Sequence, residues 1–452
     1  MSSFSQQLRL PLLGAESSSE RPHGNSRERL ASLLAEDLDF HDKRSDYCSH
    51  NFHSFPAKFP PQLPRRFILG LTNPGDTVLD PMVGSGTTVL EAVLAGRRAL
   101  GFDIDPLALL VSNVKTTPFS AERAADAGGE ALRFARFALV GRTDLLRHEL
   151  ETRFDPRTRR FIDYWFAPTT QLELLALVLG LERVKDSLAR SFLKATLSSI
   201  VITKSGGVSL ARDLGHTRPH RVEEKEPRSA ICEFEKRLER NLKSLRELDA
   251  EPGYAQVLCG DAQHLPLASG TVDLIVTSPP YASNAIDYMR AHKFSLVWFG
   301  HPIDALSQKR RQYIGGEAVE EFVFEGLPPK AGERVATVAA TDAKKGAALH
   351  RYYSEMTRCI REMFRVLRPG KVAVVVVGTS VMRGIDTLTH LCLADVAEAI
   401  GFEVVGIATR RLDRDRRMMP ARNGETRATQ IEQRMHEEYV IGLLKPEEAG
   451  RA

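Results

Sequence analysis

The stretch from residue 77 to residue 103 constrains the fold more than any other part of the chain. Thr77-Val78-Leu79-Asp80 is a short apolar run ending on a carboxylate, and Pro81-Met82-Val83-Gly84-Ser85-Gly86-Thr87-Thr88 follows at once. Residues 89–95 carry helical spacing and stop at Gly96, and Ala99-Leu100-Gly101-Phe102-Asp103 is a second short strand. Strand, glycine turn, helix, strand is the unit of a doubly wound parallel sheet, whose ligands collect at the carboxyl ends of the strands. The pattern resumes far downstream. Residues 256–261 and 272–276 read as strands, 351–367 as a helix stopped by Pro369-Gly370, and 372–377 as a strand buried on both faces. Residues 402–406 and 439–444 read as closing strands. The expected class is α/β, Rossmann-like, with a mostly parallel sheet.

Between these halves the rhythm changes. Leu172, Leu174, Leu175 and Leu179 form one apolar stripe, and Ile231, Phe234, Leu238, Leu242 and Leu245 form another on a charged helix. The expected plan is a flexible arm over 1–46, the first part of the sheet domain over 47–116, a helical insertion over 117–249, and the second part over 250–446 with a further insertion at 301–350. Formal net charge is +4, which is compatible with a nucleic-acid partner without pointing to one. Cys48, Cys232, Cys259, Cys359 and Cys392 lie far apart with no CxxC pair, which speaks for a reducing compartment and against a zinc site. Apolar runs are too short to cross a bilayer, and residues 1–14 lack a signal-peptide pattern, so no membrane partner and a cytoplasmic location are expected.

Two segments carry chemistry. Small residues at Gly84-Ser85-Gly86 let a backbone approach a ligand at a helix N-terminus. The turn is not a Walker A loop, since no Gly-Lys-Ser/Thr follows, and Val89 replaces the third glycine of a dinucleotide fingerprint. Asp80 before the turn and Asp103 after it suit a ligand with an amino-acid end and a ribose diol. An ordinary tight turn is the plainer alternative. The second segment is Thr277-Ser278-Pro279-Pro280-Tyr281. Two prolines after a buried strand remove two donors and hold the chain extended. The Ser278 hydroxyl and the Pro279 carbonyl are then acceptors beside an aromatic face, the complement of an exocyclic amino group on a flat ring.

Asp-Pro-x-x-Gly-Ser-Gly-Thr together with Ser-Pro-Pro-Tyr resembles the amino-methyltransferase family of DNA-modifying enzymes, the N4-cytosine and N6-adenine group. The resemblance covers 47–116 and 250–446. It implies a class I S-adenosylmethionine-dependent methyltransferase fold with a seven-stranded sheet. Residues 53–59 resemble the family's leading segment beside the methionine end of the cofactor, which brings in Phe55 and Lys58. Asp80, Pro81, Gly84, Ser85, Gly86 and Thr87 match the cofactor turn, Asp103 and Ile104 the ribose-binding strand end, and Asp261 the position facing the adenine amino group. Ser278, Pro279, Pro280 and Tyr281 match the catalytic motif. The implied cofactor is S-adenosylmethionine, with no metal. The implied partners are duplex DNA and a cognate restriction endonuclease that activity does not require.

The implied reaction is direct transfer to a flipped base. Hydrogen bonds from the target amine to Ser278 and Pro279 favour a pyramidal nitrogen with a free lone pair, and Tyr281 supplies stacking. Serine in the first motif position points to cytosine N4, with adenine N6 as the alternative. A tRNA guanine-N2 enzyme and a non-catalytic DNA-binding scaffold are the remaining readings. No cysteine occupies the place that C5-cytosine methylation needs. Lys204, Arg212, Arg218, Arg221 and Arg416 are candidate DNA contacts, against the alternative of a solvated face. The target reader is the helical insertion or 301–350, where Lys309, Arg310 and Arg311 stand together.

Overall fold

The computed structural model describes residues 23–55, 58–203, 207–212, 219–245, 253–282, 287–316, 319–412 and 437–447. Seven strands form one sheet: β1 Thr77–Asp80, β2 Arg98–Asp103, β3 Tyr254–Cys259, β4 Val272–Thr277, β5 Leu367–Val377, β6 Glu403–Arg411 and β7 Glu437–Leu444. Their spatial order is β6-β7-β5-β4-β1-β2-β3. Strands β1 to β5 run parallel, and β7 runs antiparallel to both its neighbours. The expected α/β class with a mostly parallel seven-stranded sheet is the observed one. Alternate residues feed opposite faces, as the pleat requires. Leu79, Ile275, Ala373 and Val375 join one core, while Val78, Leu274, Val276 and Val374 join another. Burial on both faces is why these strands read as unbroken apolar runs.

One boundary differs from the sequence reading. Pro369-Gly370 does not end the helix but lies inside β5, directly after the helix Ala343–Val366. The β4–β5 register jumps from Val272↔Leu367 to Leu274↔Val372, so residues 368–371 form a bulge. A bulge tolerates proline's missing donor, and Gly370, at φ +71°, donates to the Lys445 carbonyl at 2.9 Å.

The expected flexible arm is also partly docked. Asn25 and Glu28 form a capping box for the helix Ser26–Leu34, and Leu30 and Leu33 are fully buried. This helix lies over the sheet at Gly442, where an added Cβ would come within 2.6 Å of Leu34. The leucine spacing at 30, 33 and 34 buries one helix face, which holds the segment down. Leu30→Ala is expected to lower stability by about 2–5 kcal/mol, read as a shifted denaturation midpoint. An unchanged midpoint would show that the helix is only loosely apposed.

Helices Ala121–Gly141, Pro168–Glu182, Ser187–Val201 and Ala230–Leu245 are the longest in the region between β2 and β3. Leu174, Leu175, Phe234 and Leu238 share one core with Leu107 and Val111 beside the sheet and with Met289 and Trp298 further along. Small residues allow close crossings: a Cβ on Gly180 would stand 2.8 Å from the Ala131 carbonyl. These helices are therefore packed onto the sheet domain.

Candidate active site

The chain leaves β3 at one edge and crosses to β4 on the far side of β1, so the crevice beside β1 is a topological switch point. A cavity of about 430 Å³ opens at these carboxyl ends. Four consecutive strands deliver its polar groups: Asp80 ends β1, Asp103 ends β2, Asp261 follows β3 and Ser278 follows β4. Phe55, Lys58, Pro81, Gly84, Ser85, Thr87, Ile104 and Pro280 also line it. Gly86, Pro279 and Tyr281 are not on its wall.

The two turn glycines have different jobs. Gly84, at φ +48°, faces the cavity, and a Cβ there would meet nothing closer than 3.6 Å. Gly86, at φ +80°, caps the helix Thr87–Leu94, and its Cβ would come within 2.8 Å of Ser112 Cβ. Its smallness serves packing against the helix Pro106–Thr116. Beneath the turn, the fully buried Lys115 donates from Nζ to the Ser85 carbonyl at 2.7 Å. Burial, then the Lys58 charge, holds its pKa well below that of an ordinary lysine. Lys115 was missed in the sequence, although it is the one charged residue of the helix Pro106–Thr116.

The carboxylates differ in what they have left to offer. Asp103 accepts the N–H of Gly84 on Oδ2 and that of Asp105 on Oδ1, each at 2.9 Å. Burial, with the Asp105 charge adding, pushes its pKa up to about 7. Asp80 accepts from the Thr277 hydroxyl at 2.7 Å and the Met82 N–H at 3.2 Å, and burial pushes it up to about 6. Asp105 is fully engaged. It caps the helix Pro106–Thr116 through the N–H groups of Leu107 and Ala108, and its Oδ2 meets His292 Nδ1 and the Tyr313 hydroxyl, each at 2.7 Å. Burial alone would raise its pKa, but His292 and these hydrogen bonds outweigh it and hold the group down at about 2. Asp103, with lone pairs still facing the cavity, is the better ligand for a diol. Lys58 donates to the His50 carbonyl at 2.9 Å, and desolvation lowers its pKa to about 8.

The cavity is also lined by Asp287, Tyr288 and Tyr313, which sequence reasoning did not assign, and by Arg310 and Arg311, which it placed in a candidate target reader. Tyr288 stacks on Phe55 with centroids 5.7 Å apart. Arg310 donates from Nε to Asp287 Oδ2 at 2.7 Å, and both line the cavity with Arg311 and Tyr313. His53 is buried with Nε2 2.9 Å from Ser198 Oγ, a packing role that ties the leading segment to the insertion.

Tyr281 is half-buried at the end of the Ser-Pro-Pro-Tyr segment. Its ring lies against Gly378 and its hydroxyl donates to Glu438 Oε1 at 2.8 Å. Arg212 and Arg221 are exposed on a two-stranded ribbon away from the cavity wall, with the Arg221 guanidinium 4.7 Å over the Tyr164 ring. Lys204, Arg218 and Arg416 lie outside the described residues. Among the described residues no group of acidic, histidine or cysteine side chains has a metal-binding arrangement, and no helix is long and apolar enough to cross a membrane.

Residues 22–113, which hold the leading segment, the glycine turn and Asp103, match the DNA methylase family of N6 and N4 enzymes. The likeness extends well past that segment. The chain is 24% identical over 416 residues to the Type II methyltransferase M.MvaI of Kocuria varians, covering 86% of this chain and 89% of that one. Over most of its length it is therefore similar to the Type II DNA methyltransferases. It is also 24% identical to the Type II methyltransferase M.BsoBI of Geobacillus stearothermophilus, over 80% of each chain. A shorter stretch of 62 residues is 40% identical to the DNA adenine methyltransferase YhdJ of Escherichia coli, covering 14% of this chain and 21% of that one. The glycine turn and Ser278 open onto one cavity.

Proposed function

We propose that this protein transfers a methyl group from S-adenosylmethionine to the N4 amino group of cytosine in duplex DNA. The observation that carries this is the convergence of Asp80, Asp103, Asp261 and Ser278 on one cavity at the ends of β1 to β4. The acidic set fits the cofactor's chemistry. Asp80 suits an ammonium, Asp103 a vicinal diol and Asp261 an exocyclic amine, while Lys58 supplies a cation for a carboxylate. Phe55 and Ile104 offer apolar surface for the rest. When bound, S-adenosylmethionine supplies an electrophilic methyl group on a sulfonium.

The protein's part is orientation. An exocyclic amine is a weak nucleophile because its lone pair is conjugated with the ring. Ser278 Oγ and the Pro279 carbonyl, held by a rigid Pro-Pro segment, accept its two N–H bonds and favour a pyramidal nitrogen. The base must leave the duplex to reach them, which costs a few kcal/mol, and Tyr281 offsets this by stacking. Adenine N6 is the second reading, favoured by the local 40% identity to an adenine enzyme. The test is transfer of tritium from labelled cofactor by the purified protein. Label in unmethylated duplex DNA and none in tRNA is expected; label confined to tRNA would end the DNA reading.

A further inference from the structure

Tyr281 is held by contacts that lead away from the cavity. Its hydroxyl donates at 2.8 Å to Glu438 Oε1 on β7. The other oxygen of Glu438 pairs with Arg410, the residue opposite it on β6. Arg410 is 1% exposed, and its remaining nitrogens donate to the Leu38 carbonyl at 3.1 Å and the Asp39 carbonyl at 3.4 Å. The ring itself lies against Gly378, just after β5, where a Cβ would stand 3.0 Å from Tyr281 Cε2. A buried ion pair carries a desolvation cost that apolar residues of the same size would avoid. Stacking on a base requires only a ring, so neither the phenol hydroxyl nor this ion pair follows from stacking alone. Burial, then the Glu438 charge, keeps the phenol pKa well above its usual value, so the hydroxyl remains a donor.

We infer that Glu438, locked by Arg410, is a positioning residue that sets the angle of the Tyr281 ring against the target base. This rests on Tyr281 being the stacking ring, so the test separates the two ideas. Tyr281→Phe keeps the ring and removes the donor. Glu438→Gln keeps an acceptor and removes the charge that meets Arg410. With unmethylated genomic DNA as substrate, Tyr281→Phe is expected to lose about tenfold in kcat, the scale of one hydrogen bond to a charged group. Cofactor affinity should stay unchanged, and Glu438→Gln should lose less. The double variant should be no slower than Tyr281→Phe alone, because both changes remove one contact. Wild-type kcat for Tyr281→Phe, or losses that multiply in the double variant, would overturn the anchor. Tyr281→Ala, checked for retained cofactor affinity, tests the stacking itself. If it is inactive while Tyr281→Phe is fully active, the ring stacks without an anchor; if it is active, the stacking role fails and the anchor with it.

Discussion

Ser278→Ala is expected to lower the single-turnover rate of methyl transfer about 10²-fold while leaving S-adenosylmethionine affinity unchanged. Ser278 follows β4 and lines the cavity. Its proposed hydrogen bond to the target amine strengthens as the nitrogen becomes pyramidal and its N–H bonds become more acidic. A fixed polar group whose interaction grows on the way to the transition state contributes about 2.7–4 kcal/mol in comparable sites. The lower end applies here because the Pro279 carbonyl remains. The effect should appear in the chemical step, since an interaction made only in the transition state moves kcat and kcat/KM together. Quench-flow rates with titrated cofactor binding distinguish the cases. An equal loss of cofactor affinity would mean that residue 278 shapes the cofactor pocket instead.

The second large effect concerns Asp103. Asp103→Ala is expected to weaken cofactor binding by about 1.5–3 kcal/mol, the value of hydrogen bonds to a charged acceptor. It also leaves the N–H groups of Gly84 and Asp105 without their partner. The pH dependence sharpens the assignment. Burial raises Asp103 to about 7 and Asp80 to about 6 in the free protein. A diol and an ammonium both donate, so both groups must be ionised to bind them. Binding then expels protons, and affinity should rise with pH up to about 7 and level off above it. Calorimetry near pH 6.5 in buffers of different ionisation enthalpy should show proton release, reduced in Asp103→Ala. Binding that strengthens on acidification would contradict the assignment, because a raised carboxyl pKa favours the proton over the ligand at low pH.

The parts legible in the sequence are those in which local backbone chemistry decides the structure. Asp80 to Thr88 had to be a turn at a strand end because two glycines there take positive φ. Ser278 to Pro280 had to be extended because proline allows little else. The double-faced burial of β5 showed as the uninterrupted apolar run 372–377. What remained hidden depends on partners distant in sequence. Lys115 reaches the Ser85 carbonyl across 30 residues, Tyr281 reaches Glu438 across 157, and His292 reaches Asp105 across 187. No local pattern announces such pairs. The packing of Gly86 on Ser112 stayed hidden because Ser112 belongs to a different helix. Pro369-Gly370 looked like a helix stop because a bulge requires the same residues as a turn. Tyr288, which also lines the cavity, lies after the Pro-Pro-Tyr segment in a stretch without a signature of its own.

The identity of the methylated nucleoside tests the central claim most directly. Unmethylated duplex DNA treated with the purified protein and S-adenosylmethionine is digested to nucleosides and analysed by mass spectrometry. N4-methylcytosine, absent from DNA treated with Ser278→Ala for the same short time, is the predicted product. N6-methyladenine alone would contradict the choice of base, and DNA without any methylated nucleoside would contradict the proposed reaction itself.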